Sequence, residues 1–263
     1  MGKLADLEGP DALVQRAVET FVRVYGVDLS EYDVPPGGWE SFDAFFTRPI
    51  RPDARPIDPD PCAVVCPADG RLEDAGPIDR GATLRVKGKL YEVGELLGDA
   101  SEAPRFDGGT FAVVYLAPPD YHRVHCAVAG PVTAVRHVPG TLYPVNMIGT
   151  EHIPRLFARN ERVVVHQQSE AHGPVATILV GAIGVGRIGL SFDELLTNTG
   201  TDGGTRKYGN GTAPTLDRGD ELGVFHLGST VILFFPPSHP VTLVKRPGER
   251  TRIGQALARA ESR

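Results

Sequence analysis

Gly223-Val224-Phe225-His226-Leu227-Gly228-Ser229-Thr230-Val231-Ile232-Leu233-Phe234-Phe235 is the stretch whose reading decides the fold. Val231 to Phe235 is a continuous apolar run, too short for a helix and typical of a strand buried on both faces. A small polar segment, Gly228-Ser229-Thr230, interrupts it and reads locally as a turn or bulge whose serine caps a strand end. A second reading is chemical. Glycine has no Cβ, so the carbonyl before Ser229 lies open to the hydroxyl that follows it.

Working outward, the chain from Cys62 onward reads as short strands. These are Ala63 to Cys66, Leu84 to Leu90 with Tyr91, Phe111 to Leu116, Val132 to Val138, Arg162 to Gln167, Val175 to Ile183 and Val241 to Val244. The 31 Gly and 23 Pro in 263 residues supply the turns such a chain needs. Gly200 to Gly211 reads as a Gly/Thr-rich loop, and Arg252 to Ala258 as either a strand or a short helix. Residues 11–25 predict an amphipathic helix with Pro10 before its first turn and Gly26 as its stop. That helix packs on its own domain or dips into lipid headgroups. Ser41 predicts the cap of a short helix carrying Phe42, Phe45 and Phe46 inward, and residues 49–61 a proline-stiffened strap. The predicted class is α+β: mainly short antiparallel β-strands in one catalytic domain, behind an N-terminal helical segment.

The net charge of −6 argues against general nucleic-acid binding. An odd count of three cysteines without a signal peptide predicts a reducing setting and no disulfide framework. No stretch has the roughly 20 apolar residues a membrane span needs. Cys62, Cys66 and Cys126 match no common zinc spacing, so no metal is expected.

The richest chemical cluster is Pro118-Pro119-Asp120-Tyr121-His122-Arg123-Val124-His125-Cys126. Its flanks favour a strand, which would send His122 and His125 to opposite faces. Each histidine alone is as readily a structural, hydrogen-bonded residue. Asp69, in Pro67-Ala68-Asp69-Gly70, is either an Asx-turn aspartate or the third member of an Asp–His–Ser set that orients His125 to deprotonate Ser229.

These residues carry a resemblance. The chain resembles the phosphatidylserine decarboxylases of the bacterial and mitochondrial type, from about residue 40 to residue 260. The matching pieces are Phe45-Phe46-Thr47-Arg48, Pro67 to Gly70, Lys87-Gly88-Lys89 with Tyr91, Pro118 to His125, Val145-Asn146, Asn160-Glu161-Arg162, Leu179 to Ala182 and Leu227-Gly228-Ser229-Thr230. The resemblance implies self-cleavage between Gly228 and Ser229 into chains 1–228 and 229–263, which stay together as a heterodimer that can dimerise further. Ser229 then becomes a pyruvoyl group, so neither pyridoxal phosphate nor a metal is needed. A Schiff base with the substrate amine lets this group take up the electrons left when phosphatidylserine loses carbon dioxide to give phosphatidylethanolamine. The resemblance assigns Asp69 and His125 to the cleavage set, and His122 and Tyr121 to substrate. It makes residues 41–263 the decarboxylase domain and residues 1–40 a docking segment at the cytoplasmic side of the cell membrane. The rival expectations are a decarboxylase of another amine-bearing substrate, and an uncut Asp–His–Ser hydrolase.

Overall fold

The computed structural model describes residues 11–183, 187–198, 203–209, 211–226 and 229–261. Its helices are α1 (Asp11–Tyr25), α2 (Phe42–Phe46), α3 (Val93–Leu97), α4 (Met147–His152) and α5 (Leu156–Arg159). The strands in the first half of the chain are β1 (Ala63–Val65), β2 (Gly70–Pro77), β3 (Thr83–Val86), β4 (Lys89–Glu92), β5 (Thr110–Leu116), β6 (Arg123–His125), β7 (Gly130–Val138), β8 (Arg162–Ser169) and β9 (Gly173–Gly181). Then come β10 (Ile188–Leu190), β11 (Gly204–Lys207), β12 (Thr215–Leu216), β13 (Glu221–Phe225), β14 (Ser229–Phe235), β15 (Val241–Leu243), β16 (Arg250–Thr251) and β17 (Ala256–Ala260).

The architecture is α+β, and every ladder between these strands is antiparallel. The main sheet runs β11-β7-β8-β9-β14-β5-β2-β16, with β12 also on β7. β14 lies between β9 and β5, and all seven of its residues are buried. The apolar run Val231 to Phe235 therefore has neighbours on both edges and both faces, which is why its sequence shows no alternation. Two small sheets flank the main one, β1-β17-β15 and β10-β13-β6.

Several elements differ from the sequence reading. Ser229 and Thr230 belong to β14 itself, not to a turn. The single strand expected over Leu84 to Tyr91 is a hairpin, because Lys87 and Gly88 take positive φ (50° and 77°) and reverse the chain. Within the expected loop Gly200 to Gly211, Gly204–Lys207 pairs with the edge of β7; residues 200–202 and 210 lie outside the described residues. Arg252 to Ala258 is a turn followed by β17.

At the N-terminal side, Ser41 caps α2 by accepting a hydrogen bond from the Ala44 amide at 3.0 Å. Val14 and Val18 of α1 are buried with Trp39 and Phe45, in a cluster separate from the main core. The apolar face of α1 is wider than this contact. Leu13, Val24 and Tyr25 remain exposed, at 64%, 69% and 48%.

Candidate active site

The expected site residues sit on separate elements, and each has its own set of partners. Ser229 opens that strand, opposite Leu116 of β5 and Gly181 of β9. It has no exposed surface, and its Oγ has no hydrogen-bond partner among the described residues. A buried hydroxyl without a partner is costly in a folded chain, and it marks a group held ready for something else. Leu227 and Gly228 lie outside the described residues.

The strand end beside Ser229 is clamped by Asn160. The Nδ2 of this fully buried side chain donates to the carbonyls of Gly181 at 2.8 Å and Tyr143 at 2.9 Å, while its Oδ1 accepts from the Tyr143 amide at 3.0 Å. The motif residues Asn160 and Gly181 thus fix the register partner of Ser229.

The segment Asp120 to His125 follows a tight turn. The Asp120 carboxylate accepts the Ala117 amide at 2.8 Å, and the chain re-enters a sheet at β6. His122 is fully buried under Phe46, with ring centroids 4.1 Å apart. Its Nδ1 donates to the Asp120 carbonyl at 2.7 Å, leaving Nε2 buried and unpartnered. Burial pushes its pKa down to about 3, so the ring is neutral. The His122 carbonyl accepts the Phe225 amide at 2.9 Å, which ties this segment to the strand leading into Ser229.

His125 is positioned differently from the expected triad. Its Nδ1 donates to the Gly219 carbonyl at 2.7 Å, and its Nε2 faces the Tyr121 hydroxyl at 3.5 Å. Gly219 presents that carbonyl from a turn with φ +86°, which a side-chain-bearing residue would adopt only under strain. Burial holds the His125 pKa below the ordinary value, while the Gly219 hydrogen bond and the charges of Glu221 and Asp69 oppose that shift.

Asp69 makes its hydrogen bonds elsewhere. Its carboxylate accepts from Arg55 Nε at 3.0 Å, from Arg55 Nη2 and from the Ile253 amide at 2.9 Å. Arg55 also reaches Glu31 at 2.8 Å. Burial works against the Arg55 charge, but its hydrogen bonds to Asp69 and Glu31 outweigh that and hold it firmly protonated. So the structure brings Asp69 into electrostatic reach of His125 without a hydrogen bond between them.

Sequence reasoning missed Arg55, Gly219 and the pair Asp43–His226. In that pair the His226 Nδ1 lies 2.8 and 2.9 Å from the Asp43 carboxylate oxygens, joining α2 to the residue that follows β13. Each of these partners is remote in sequence and leaves no local signature.

A cavity of about 520 Å³ opens beside the site, and Tyr25, Tyr32, Arg55, Asp69, Asp120 and Tyr121 are among its lining residues. Among the described residues, no group of three or more His, Cys, Asp or Glu side chains is arranged to hold a metal ion.

The family model for phosphatidylserine decarboxylase matches residues 42–259. A phosphatidylserine decarboxylase proenzyme of Bordetella petrii is 44% identical over 264 residues, covering 98% of this chain and 91% of that protein. One from Xanthomonas campestris pv. campestris is 42% identical over 252 residues, covering 95% and 89%.

Proposed function

The chain belongs to the phosphatidylserine decarboxylase family, and from that premise we propose that it cuts itself between Gly228 and Ser229 and decarboxylates phosphatidylserine to phosphatidylethanolamine. The observation that carries this reading is Ser229 Oγ, buried at the head of a strand paired on both edges and without a hydrogen-bond partner among the described residues. A hydrolase acting on outside substrates needs an exposed nucleophile, and Ser229 has no exposed surface. Its neighbours are its own chain, so its natural electrophile is the carbonyl that precedes it.

In the proposed maturation, His125 Nε2 takes the Ser229 Oγ proton. Gly219 fixes the tautomer that leaves this nitrogen as the acceptor, with only the long 3.5 Å contact to the Tyr121 hydroxyl to give up. The oxygen attacks the carbonyl carbon of residue 228, and the peptide nitrogen leaves, giving an ester. Loss of the Ser229 Cα proton expels the carboxylate of residue 228. Water then releases ammonia, and the new chain begins with a pyruvoyl group. That group supplies an electron sink for the carbanion formed when carbon dioxide departs.

The buried, neutral His122 supports a role in positioning the substrate. With Nδ1–H committed to Asp120, Nε2 is an acceptor for an N–H of the substrate amine. It donates a proton only after first taking one up. Tyr121 lines the cavity beside it.

The site of action we propose is the cytoplasmic face of the cell membrane, with residues 1–40 as the docking segment and residues 41–263 as the decarboxylase domain. No described helix is long and apolar enough to cross a bilayer. The exposed Leu13, Val24 and Tyr25 favour contact with a lipid surface, and Tyr25 also lines the cavity, so the lipid-facing helix and the headgroup site adjoin. The two chains remain one heterodimer; its further dimerisation is part of the same proposal.

Intact mass under denaturing conditions tests the maturation. Two chains are expected, the smaller lighter than residues 229–263 by one ammonia. A single full-length mass from an active preparation removes the mechanism. Carbon dioxide release from phosphatidylserine vesicles, set against soluble amino acids, tests the substrate.

A further inference from the structure

Arg48 closes the Phe45-Phe46-Thr47-Arg48 stretch and is only 2% exposed. Its guanidinium carbon lies 4.3 Å from the centre of the Tyr32 ring and 4.6 Å from that of Phe45. One nitrogen, Nη1, donates to the Phe45 carbonyl at 3.0 Å. The other two, Nε and Nη2, are buried and make no well-formed hydrogen bond among the described residues; the one polar side chain interacting with the guanidinium there is the neutral Tyr32 hydroxyl. Every other charged group discussed above has a partner, whereas no carboxylate among the described residues pairs with Arg48. A buried guanidinium keeps its charge, so an unpaired one is strongly unfavourable unless an anion arrives. Nε and Nη2 form one edge of the guanidinium fork, the edge that grips two oxygens of a single oxyanion.

The surroundings say where that anion belongs. Phe46, two residues earlier, covers His122, whose Nε2 is also unpartnered. Thr47 accepts from Arg123 Nε at 2.8 Å, pinning the stretch against β6. Tyr32 and Tyr121 stand beside Arg48 and line the cavity. Arg48 and His122 are themselves buried and are not lining residues; Tyr32, whose ring lies against the Arg48 guanidinium, and Tyr121, next to His122 in the chain, are what join them to the cavity wall.

We propose that Arg48 binds the phosphodiester of the substrate headgroup, placing the serine amine and carboxylate toward His122 and the start of β14. The ligand assignment rests on the decarboxylase reading, which gives the substrate two anionic groups. The carboxylate is the poorer choice. It loses its charge on leaving as carbon dioxide, and an ion pair would stabilise the ground state more than the transition state. The phosphodiester keeps its charge throughout, so gripping it strengthens binding without opposing the chemistry.

The test compares Arg48→Gln and Arg48→Lys with the parent on micellar phosphatidylserine and on O-decyl-L-serine, which keeps the amine and carboxylate but lacks phosphate. Cutting is checked by mass. Arg48→Gln is expected to raise KM for phosphatidylserine at least tenfold with kcat within about threefold. Arg48→Lys is expected to recover part of the loss, and O-decyl-L-serine to be processed equally by all three. Dihexanoyl phosphatidylglycerol, a phosphodiester without an amine, is titrated in parallel. Its dissociation constant is expected to rise at least tenfold in Arg48→Gln, a readout that needs no turnover and separates this proposal from the decarboxylase reading. Should Arg48→Gln remain uncut, the titration is run on Ser229→Ala chains with and without it. Equal affinity for the phosphodiester, or an equal loss on O-decyl-L-serine, overturns the proposal.

Discussion

The Nδ1 of His125 lies 2.7 Å from the carbonyl oxygen of Gly219, and this contact does for the imidazole what a carboxylate does in a serine protease triad. It fixes the proton on Nδ1 and leaves Nε2 as the acceptor nitrogen, the atom proposed above as the base. A carbonyl adds no negative charge, so burial prevails and the His125 pKa stays below its ordinary value. In the proposed maturation the neutral form is the active one. Self-cleavage of freshly translated precursor should therefore be flat with pH above the ordinary histidine range and fall only as pH drops through a value below about 6.5. His125→Ala should leave one full-length chain. A rate that declines between pH 7 and 8, followed by gel, would remove His125 from the role of base.

Asp69 pairs with Arg55, so its loss should act first on the fold. Removing one partner of a buried ion pair costs about 3–5 kcal/mol, with Glu31 left to hold Arg55 in part. In a Ser229→Ala background, Asp69→Asn and Arg55→Gln should lower the urea midpoint by similar amounts. In the cleavable chain both should slow maturation. If Asp69→Asn blocks cutting while stability matches the parent, Asp69 acts by its charge on His125 instead.

These partners explain where sequence reasoning succeeded and where it stopped. Helix α1 was legible because Val14, Val18 and Phe21 repeat at helical spacing, and α2 because Ser41 sits where a cap belongs. The buried run Val231 to Phe235 announced the central strand. By contrast, Gly204–Lys207 forms a strand with four exposed residues, held by edge pairing to β7 and by polar side-chain contacts of Thr205 and Arg206, so its sequence carries no hydrophobic pattern. Ser229, His122, His125 and Asp69 were legible as reactive types in matching motifs. Their hydrogen-bond partners were not, since Gly219 lies 94 residues from His125 and Asp43 lies 183 from His226.

Asn160 makes three hydrogen bonds with one buried side chain, two of them to Tyr143 and one to Gly181. Asn160→Ala should cost about 3 kcal/mol, as each lost bond is worth roughly 1 kcal/mol and the stranded backbone groups add to it. Because Gly181 is the register partner of Ser229, the variant should also cut more slowly than its stability loss explains. Normal cutting at matched fractions folded would show that the clamp serves stability alone.

The exposed face of α1 predicts membrane dependence. Leu13→Glu with Val24→Glu removes two large apolar side chains that the fold leaves in water, at 64% and 69% exposure. Stability should change by less than about 0.5 kcal/mol. Co-sedimentation with phosphatidylserine-containing vesicles should fall several-fold, with turnover of detergent-dispersed substrate unchanged. Undiminished sedimentation would place the lipid contact elsewhere.

The small chain left by cleavage should stay bound without a covalent link. Residues 229–261 contribute β14 to the centre of the main sheet, β16 to its edge against β2, and β15 and β17 to the sheet containing β1. β14 alone pairs along Ser229–Phe235 with β5 and along Ser229–Phe234 with β9. Phe234 packs against Phe106 at 5.7 Å between ring centres, with no exposed surface. The two chains should therefore co-elute in native buffer and separate only in denaturant. Phe234→Ala, measured on the uncut Ser229→Ala chain, should cost about 3–5 kcal/mol, and in the cut protein it should speed exchange of the small chain. Chains that part in native buffer would mean that the peptide bond, and not β14, holds the mature enzyme together.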